Sequence, residues 1–362
     1  MLIKFPLNLQ SNHLSIPPNV ELYWIRHLHS CANMLESIGG RDIQLLRTIQ
    51  STHVENITER TRLAPNPHIT PFGISHALGS TLHAKNLTEL IQPDLICASQ
   101  LIRTWETAYL LFLQYFQKNK PLYIVPYIGE KRFPKIIGLK RINTDNQPES
   151  IPISKKKFMN FFKYLQEYIK KYHQNECNKM NVNTNLVPPQ IEYINRIGEI
   201  TDKSDKSTLS SNPNFKKFIK DILPHLISMV PSKKTIRIVL VTHSHFMEHN
   251  ILPSKMTIPK YLVPRLDSKG ILRVWNVDCY RMTSSKGVEF AFPVRIPFDQ
   301  YHLPKDMGGG KYHISDKNTL SIFFKDLDQK DQNKYHDKIK YALGMCAIEE
   351  PKYITYVLNK LK

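Results

Sequence analysis

Glycine is scarce in this chain. There are 13 in 362 residues, about half the usual share of roughly 7%, so glycine-rich loops are few. The one glycine run, Gly308-Gly309-Gly310-Lys311, lacks the spacing and the preceding strand of a nucleotide-binding loop, and is expected to be a flexible connector. Cysteine is also thin: five residues, at 31, 97, 177, 279 and 346, with no Cys-x-x-Cys. An odd number at irregular spacing argues against a disulfide framework and points to a reducing compartment. Long apolar runs are missing. The longest beside a helix is Ala108-Tyr-Leu-Leu-Phe-Leu113, far short of the roughly 20 residues that span a bilayer. The N-terminal Met-Leu-Ile-Lys-Phe-Pro turns polar without the apolar core and cleavage site of a signal peptide. These absences predict a soluble, cytoplasmic protein with no membrane partner.

Acidic residues are outnumbered, 31 against 50 basic, for a net charge of +19. That favours phosphate-bearing partners but says nothing about fold. With 41% hydrophobic and 22% charged residues, wholesale disorder and coiled-coil or collagen-like structure are excluded. The length suits about two domains, or one core with a large insertion.

Four short apolar runs punctuate the chain, at 21–25, 94–98, 122–125 and 236–241. Continuous runs of this length suit strands buried on both faces of a parallel sheet. A helix from about Thr70, with Pro71 at its first position, to Lys85 lies between the first two. Another, Leu101 to Phe116, follows the second directly. Strand then helix, repeated, predicts an α/β fold with a mostly parallel central sheet flanked by helices. Residues 155–173 form an amphipathic pattern, apolar at 158, 161, 162, 165, 168, 169 and 172, with lysines on the other face. The polar stretch 173–214 has too few apolar residues for a domain and is expected to be an insertion or lid. A helix from Asn214 should end or kink at Pro224. The runs 271–277 and 288–294, joined by a polar turn at 284–287, predict an antiparallel hairpin at a sheet edge. The expected organisation is an irregular leader at 1–19 and a core at 20–300, interrupted by a helical and irregular insertion at about 136–233. A helical C-terminal extension at 301–362 completes it.

Ligands of open α/β sheets sit beyond the carboxyl ends of the strands. Here Arg26 and His27 follow the first strand, Ser99 and Arg103 the second, Glu130 the third and His243 the fourth. Two arginines, two histidines and a carboxylate suit phosphoryl transfer. Arginine forks and histidine donors hold the charged equatorial oxygens, a neutral imidazole attacks phosphorus, and a carboxylic acid protonates the departing oxygen.

Several segments resemble the histidine phosphatase superfamily, the phosphoglycerate-mutase-like enzymes. Arg26-His27-Leu28-His29-Ser30-Cys31-Ala32-Asn33 resembles Arg-His-Gly-x-Ser-x-x-Asn, and Ser99-x-Leu101-x-Arg103-x3-Thr107-Ala108 resembles the second motif. Ile69-Thr70-Pro71-Phe72-Gly73 with Ala77 is similar to the family's Leu-Thr-x-x-Gly helix start, and Val239-Leu-Val-Thr-His243-Ser244 to its closing strand-His-Gly. The likeness covers roughly residues 20–135 and 234–280. It implies a phosphoglycerate-mutase-like fold and a phosphatase acting on a phosphomonoester or phosphoanhydride through a phosphohistidine on His27. It also implies Arg26, Arg103 and His243 as the phosphoryl clamp, Glu130 as the acid, and no metal or cofactor. Ser30, Asn33, Ser99, Ser244 and His245 would be substrate-binding or would border the pocket. Leu28 and Ser244 stand where the family has glycine.

Other readings stay open beside this one. The family also holds phosphomutases, and a catalytically inactive phosphate-binding module would keep the same arginines. Cys97-x5-Arg103 has the spacing of a thiolate phosphatase, but Cys97 falls inside an expected buried strand. Cys31 is expected to pack beside the site as a thiol. His243, His245 and His249 have a metal-like spacing without carboxylates to match. The expected partner is a small phosphorylated substrate, one that could be multiply phosphorylated or a phosphoprotein, with nonspecific polyanion binding as a secondary consequence of dispersed lysines.

Overall fold

A computed structural model shows the architecture. It describes residues 2–4, 16–31, 33, 66–71, 73–74, 76–78, 86–130, 149–172, 174, 186–201, 213–232, 234–252, 255–257, 274, 276–293, 302–303 and 310–311.

The centre is a seven-stranded sheet in the order β5-β4-β3-β6-β2-β8-β9. Its members are β2 (Val20–Arg26), β3 (Leu95–Ala98), β4 (Leu122–Ile124), β5 (Ile191–Tyr193), β6 (Ile236–Thr242), β8 (Asp278–Thr283) and β9 (Gly287–Pro293). The five strands β5, β4, β3, β6 and β2 run parallel; β8 and β9 close one edge antiparallel. Burial on both faces explains the unbroken apolar runs. In β2, Tyr23 and Ile25 join one core cluster, while Leu22 and Trp24 join the other, as a period of two requires. On the first face lie α1 (Asn86–Ile91), α2 (Ile102–Leu111), α3 (Leu113–Phe116) and α4 (Ile151–Tyr172). Residues of these helices fill that cluster, among them Ile91, Trp105, Tyr109, Phe158 and Phe161. On the second lie α5 (Phe215–Lys217), α6 (Leu223–Ser228) and α7 (Ser244–Phe246). There the Trp24 ring meets Phe215, Phe218 and Phe246 at 5.6–5.9 Å. This is the mostly parallel, helix-flanked sheet expected.

Several local expectations shift. The stretch read as an insertion contributes the edge strand β5, and α4 supplies Phe158, Phe161, Phe162 and Leu165 to the core. Its described parts are therefore woven into the main sheet and its cover. The hairpin's first described strand is Asp278–Thr283; of the expected run 271–277 only 274, 276 and 277 are described, and these lie outside it. Val277 takes φ +58 in the turn just before it, so pairing with β2 begins only afterwards. The helix opened by Asn214, whose side chain accepts from Lys217 N, passes Pro224 instead of stopping. A π turn at Phe218–Ile222 precedes the proline and absorbs its missing donor. In the leader, Leu2–Lys4 (β1) pairs with Lys255–Thr257 (β7). Gly310–Lys311 (β11) pairs with His302–Leu303 (β10), where a connector was expected. The expected C-terminal helices fall outside the described residues. Among the described residues no helix is long and apolar enough to cross a membrane.

Candidate active site

Strand register builds the site. Arg26 of β2 lies opposite Thr242 of β6, and Ala98 of β3 opposite Val241. The next residues, His27, His243 and Ser99, therefore leave the sheet side by side at its carboxyl edge. His27 N–H donates to Thr242 O at 2.9 Å and Ser99 N–H to Val241 O at 3.1 Å. The two imidazole rings stand 5.1 Å apart. Thr242 Oγ1 bonds the Ile128 carbonyl, which fastens the loop after β4 to the end of β6 and brings Glu130 in. Glu130 Oε2 lies 3.1 Å from His243 Nδ1.

Arg103, in the first turn of α2 and 2% exposed, ties the set together. Its Nε donates to His27 Nε2 at 3.3 Å, and its Nη2 is 3.4 Å from His243 Nδ1 and 3.8 Å from Glu130 Oε2. The start of α2 is held from afar by Asn66, whose Oδ1 accepts from Ile102 N at 2.8 Å. The Trp105 indole N–H donates to Ser99 O at 2.8 Å.

The hydrogen bonds fix the tautomer of His27. Its Nδ1 lies 2.6 Å from Leu28 O. A carbonyl only accepts, so Nδ1 carries the proton and Nε2 presents its lone pair. Leu28 itself is fully buried in the first core cluster, and its N–H donates to Thr107 Oγ1 at 2.9 Å. The Leu28 side chain thus points inward.

A clasp from across the chain holds the Arg26–His27 corner, and sequence reasoning missed it. Arg26 Nη1 donates to Val274 O at 2.5 Å, Val277 N–H to Arg26 O at 3.0 Å, and Asn276 Nδ2 to His27 O at 2.7 Å. Glu248 Oε1 steadies the clasp by accepting from Val274 N at 3.0 Å. Nothing in the local pattern of 274–277 announces this.

The remaining expected residues sit around this centre. Ser99 Oγ is 2.8 Å from His243 Nε2, which makes it an orienting partner of that ring. Asn33 Oδ1 accepts from the N–H and hydroxyl of Ser30, at 3.2 and 3.1 Å, bracing the first loop. His29 Nδ1 meets Thr70 Oγ1 at 2.8 Å. Thr70 caps the helical turn behind it, accepting from Gly73 N at 3.1 Å. A Cβ on Gly73 would come 2.5 Å from His29 O, so only glycine permits this approach. A buried pair, His68 with Glu106, backs the same loop; Glu106 Oε2 also accepts from Ile69 N at 2.8 Å. Ser244 opens α7, half-buried, and the His245 ring stacks on His249.

Electrostatics sort the roles. Burial first, then Arg103, His243 and Arg26, hold His27 well below its usual pKa. Burial and the same two arginines do likewise for His243. Both imidazoles are therefore neutral near pH 7. Burial pushes the Glu130 carboxyl up, against the pull of Arg103, His245, Arg26 and His249. It therefore keeps its proton to a higher pH than a free carboxyl. Cys97 is free and fully buried, and burial raises its thiol far from ionisation, so the thiolate alternative finds no support. Cys31 is disulfide-bonded, which corrects the expectation of a thiol there; spacing alone does not reveal pairing.

His27, Glu130 and His243 present ligand atoms within 4.8 Å of one another, a trio different from the histidine set 243/245/249. That spread would fit a cation by distance. Charge decides otherwise. Arg103 reaches all three, and a unit charge pair at about 4 Å is worth about 4 kcal/mol at an effective dielectric of about 20. A centre with an arginine inside it and neutral imidazoles around it suits an anion.

No family model matches the chain, and no curated protein matches it. Twenty-four solved chains do match in structure. One, from Escherichia coli str. K-12 substr. MG1655, is provisionally described as an alpha-ribazole-5'-P phosphatase. It is 15% identical with a TM-score of 0.30, over 73% of this chain and 89% of that one. A likeness of that size leaves the chemistry of this chain to its own residues.

Proposed function

We propose that the protein is a histidine phosphatase, a metal-independent hydrolase of phosphate monoesters or anhydrides that works through a phosphohistidine on His27. One observation carries the reading. The lone pair of His27 Nε2 faces Arg103, and His243 and Glu130 lie within the same small, buried, cationic centre.

In this reading Nε2 attacks phosphorus, and the P–O bond to the leaving group breaks as the new N–P bond forms. Arg103 and Arg26 hold the phosphoryl oxygens, and an oxygen takes the place between His243 Nδ1 and Glu130. The Glu130 carboxylic acid gives its proton to the departing oxygen. The carboxylate then takes a proton from water, the water oxygen attacks phosphorus, and the N–P bond breaks to release phosphate and restore neutral His27. Ser99 keeps the His243 ring in place throughout.

The test is turnover of p-nitrophenyl phosphate by the wild type and His27→Ala, with and without EDTA, together with acid-labile, base-stable phosphate on the protein. Metal-independent turnover lost in His27→Ala supports the reading. Activity that survives the substitution, or that EDTA abolishes, removes it.

A further inference from the structure

We propose that Glu248 is a positioning residue for Arg26, acting through the main chain of Val274, and that it thereby sets how tightly the site holds a phosphoryl group. Its kinetic consequence rests on the phosphatase reading; its binding consequence needs only that Arg26 holds an anion.

Arg26 closes β2 with a long side chain of many rotamers, and such a group grips an anion well only when its plane is already held. Here a carbonyl holds it: Nη1 donates to Val274 O at 2.5 Å. A guanidinium bond this short is strong, so the fork of Arg26 follows Val274 O. The place of Val274 therefore matters to the site, although its side chain belongs to the second core cluster. Glu248 fixes that place. The chain leaves His243 through the single turn of α7 and widens at once into a π turn at Met247–Ile251, closed by Leu252 N–H to Met247 O at 2.9 Å. Met247 and Ile251 enter the same core cluster as Val274. Glu248, 6% exposed, accepts from Val274 N–H through Oε1 at 3.0 Å. Both main-chain polar groups of Val274 are thus claimed, the N–H by the Glu248 carboxylate and the carbonyl by the Arg26 guanidinium.

The residues after Val274 bend toward the same corner. Val277 sits at φ +58, in the left-handed region that is strained for a β-branched residue. Such strain persists where the surroundings over-determine it. Here Val277 N–H reaches Arg26 O at 3.0 Å, and Asn276 Nδ2 reaches His27 O at 2.7 Å. One short stretch therefore grips the main chain at 26 and 27 and the Arg26 side chain together. Glu248 ties that stretch to the helical segment that starts at His243. The ends of β2 and β6 are in this way joined by a route separate from their strand pairing and from Arg103.

The experiment measures inorganic phosphate affinity by NMR titration, with p-nitrophenyl phosphate kinetics alongside, in Glu248→Met and Glu248→Gln. Both variants remove the same charge at similar length, so general electrostatic effects cancel between them. Only glutamine keeps an oxygen for Val274 N–H. Glu248→Met should weaken phosphate about fivefold to thirtyfold, the upper figure being the rotamer freedom of a released arginine, and raise KM more than it lowers kcat. Glu248→Gln should recover most of that loss. In an Arg26→Met background the two substitutions should bind phosphate equally, because the group that Glu248 positions is gone. A difference that persists there at full size overturns the inference, since it assigns Glu248 to packing. Equal affinities of the two variants with Arg26 present overturn it as well. Where Arg26→Met binds too weakly to titrate, the Arg26 Nε–Hε signal decides: it should shift or broaden in Glu248→Met and not in Glu248→Gln, and an unchanged signal in both ends the proposal. Should Glu248→Met not fold, Glu248→Asp, too short to reach Val274 N–H, takes its place against the wild type. Phosphate binding with this pattern in an enzyme that turns over no ester sinks the phosphatase reading and leaves the positioning role standing; no phosphate binding at all sinks both.

Discussion

Replacing Arg103 by methionine, close in length but uncharged, separates the electrostatic account of the site from a merely structural one. Arg103 is the second cause, after burial, that depresses both His27 and His243, and its Nε and Nη2 reach one ring each. Two consequences are expected. The first is kinetic: loss of one preorganised donor to a developing oxyanion costs about 10²–10³ in rate, or about 2.7–4 kcal/mol. For p-nitrophenyl phosphate kcat/KM should fall by at least that much. The second is a displacement of the acid limb of the pH profile. Attack needs neutral His27, so activity is lost as pH falls through the pKa of that group in the free enzyme. With Arg103 present that pKa lies well below 6.5. Without the guanidinium the imidazole holds a proton more easily, so the limb must move to higher pH. It stops short of the ordinary value because burial remains. The substrate's own second ionisation, near about pH 6, is common to both enzymes and cancels in the comparison. Thermal unfolding supplies the control. The substitution forgoes the hydrogen bonds to the two neutral imidazoles and the ion pair with Glu130, so the melting temperature should fall modestly, and the kinetic comparison is made well below it. An acid limb that stays put or moves down, or a rate loss under about threefold, refutes the reasoning.

Glu130→Gln should slow alkyl phosphates far more than p-nitrophenyl phosphate, because only a poor leaving group needs the proton; equal losses would assign Glu130 a positioning role. Leu28→Gly empties a buried core position and should cost about 2–5 kcal/mol in denaturant unfolding, with no gain in kcat. A rise in kcat would show that the side chain obstructs phosphate. Stability should also fall as pH drops below about 6.5, the unfolded histidine value. His27, His29 and His243 are all depressed by burial, His29 to about 3, so below that pH the unfolded chain binds more protons than the folded one. Glu130, raised, opposes this within a narrower window above its ordinary value. Melting temperatures between about pH 7.5 and about pH 5 test the sum, and a flat profile, or one rising toward acid, contradicts it.

The strands of the parallel sheet were legible because each is buried on both faces, so no polar alternation interrupts the apolar run; β2, β3, β4 and β6 appear within one or two residues of their expected limits. Their carboxyl ends were legible for the same reason, since Arg26-His27, Ser99 and His243 follow apolar runs directly. The edge was harder. β5 is three residues long and lies in a polar segment, where period and hydrophobicity carry no signal. The 278–283 strand was displaced because Val277, a β-branched residue expected inside a strand, occupies the left-handed region instead. Tertiary hydrogen bonds override propensity there: Val277 N–H is taken by Arg26 O. Asn276, Val274 and Glu248 act on the site only through contacts more than two hundred positions apart in the first two cases, and no local pattern encodes such pairings. His68 and Glu106 illustrate the same limit, since each alone is an ordinary polar residue in an amphipathic stretch.

Leucine at position 28 and the scarcity of glycine belong together. Glycine at that position would let a backbone amide approach an anion closely. In this chain the amide of residue 28 is spent on Thr107 Oγ1, which in turn donates to the carbonyl of Arg103 at 2.6 Å. That chain of two hydrogen bonds ties the loop after His27 to the helix that carries Arg103. Its cost is an amide no longer available to an anion. The positive field must then come from side chains, and Arg103 at the centre with Arg26 beside it supplies it in a buried setting where salt screens little. A leucine that anchors the loop in the core is the residue such an arrangement needs. Under the proposed reading, the anion is gripped by guanidinium forks and imidazoles instead of a nest of backbone amides.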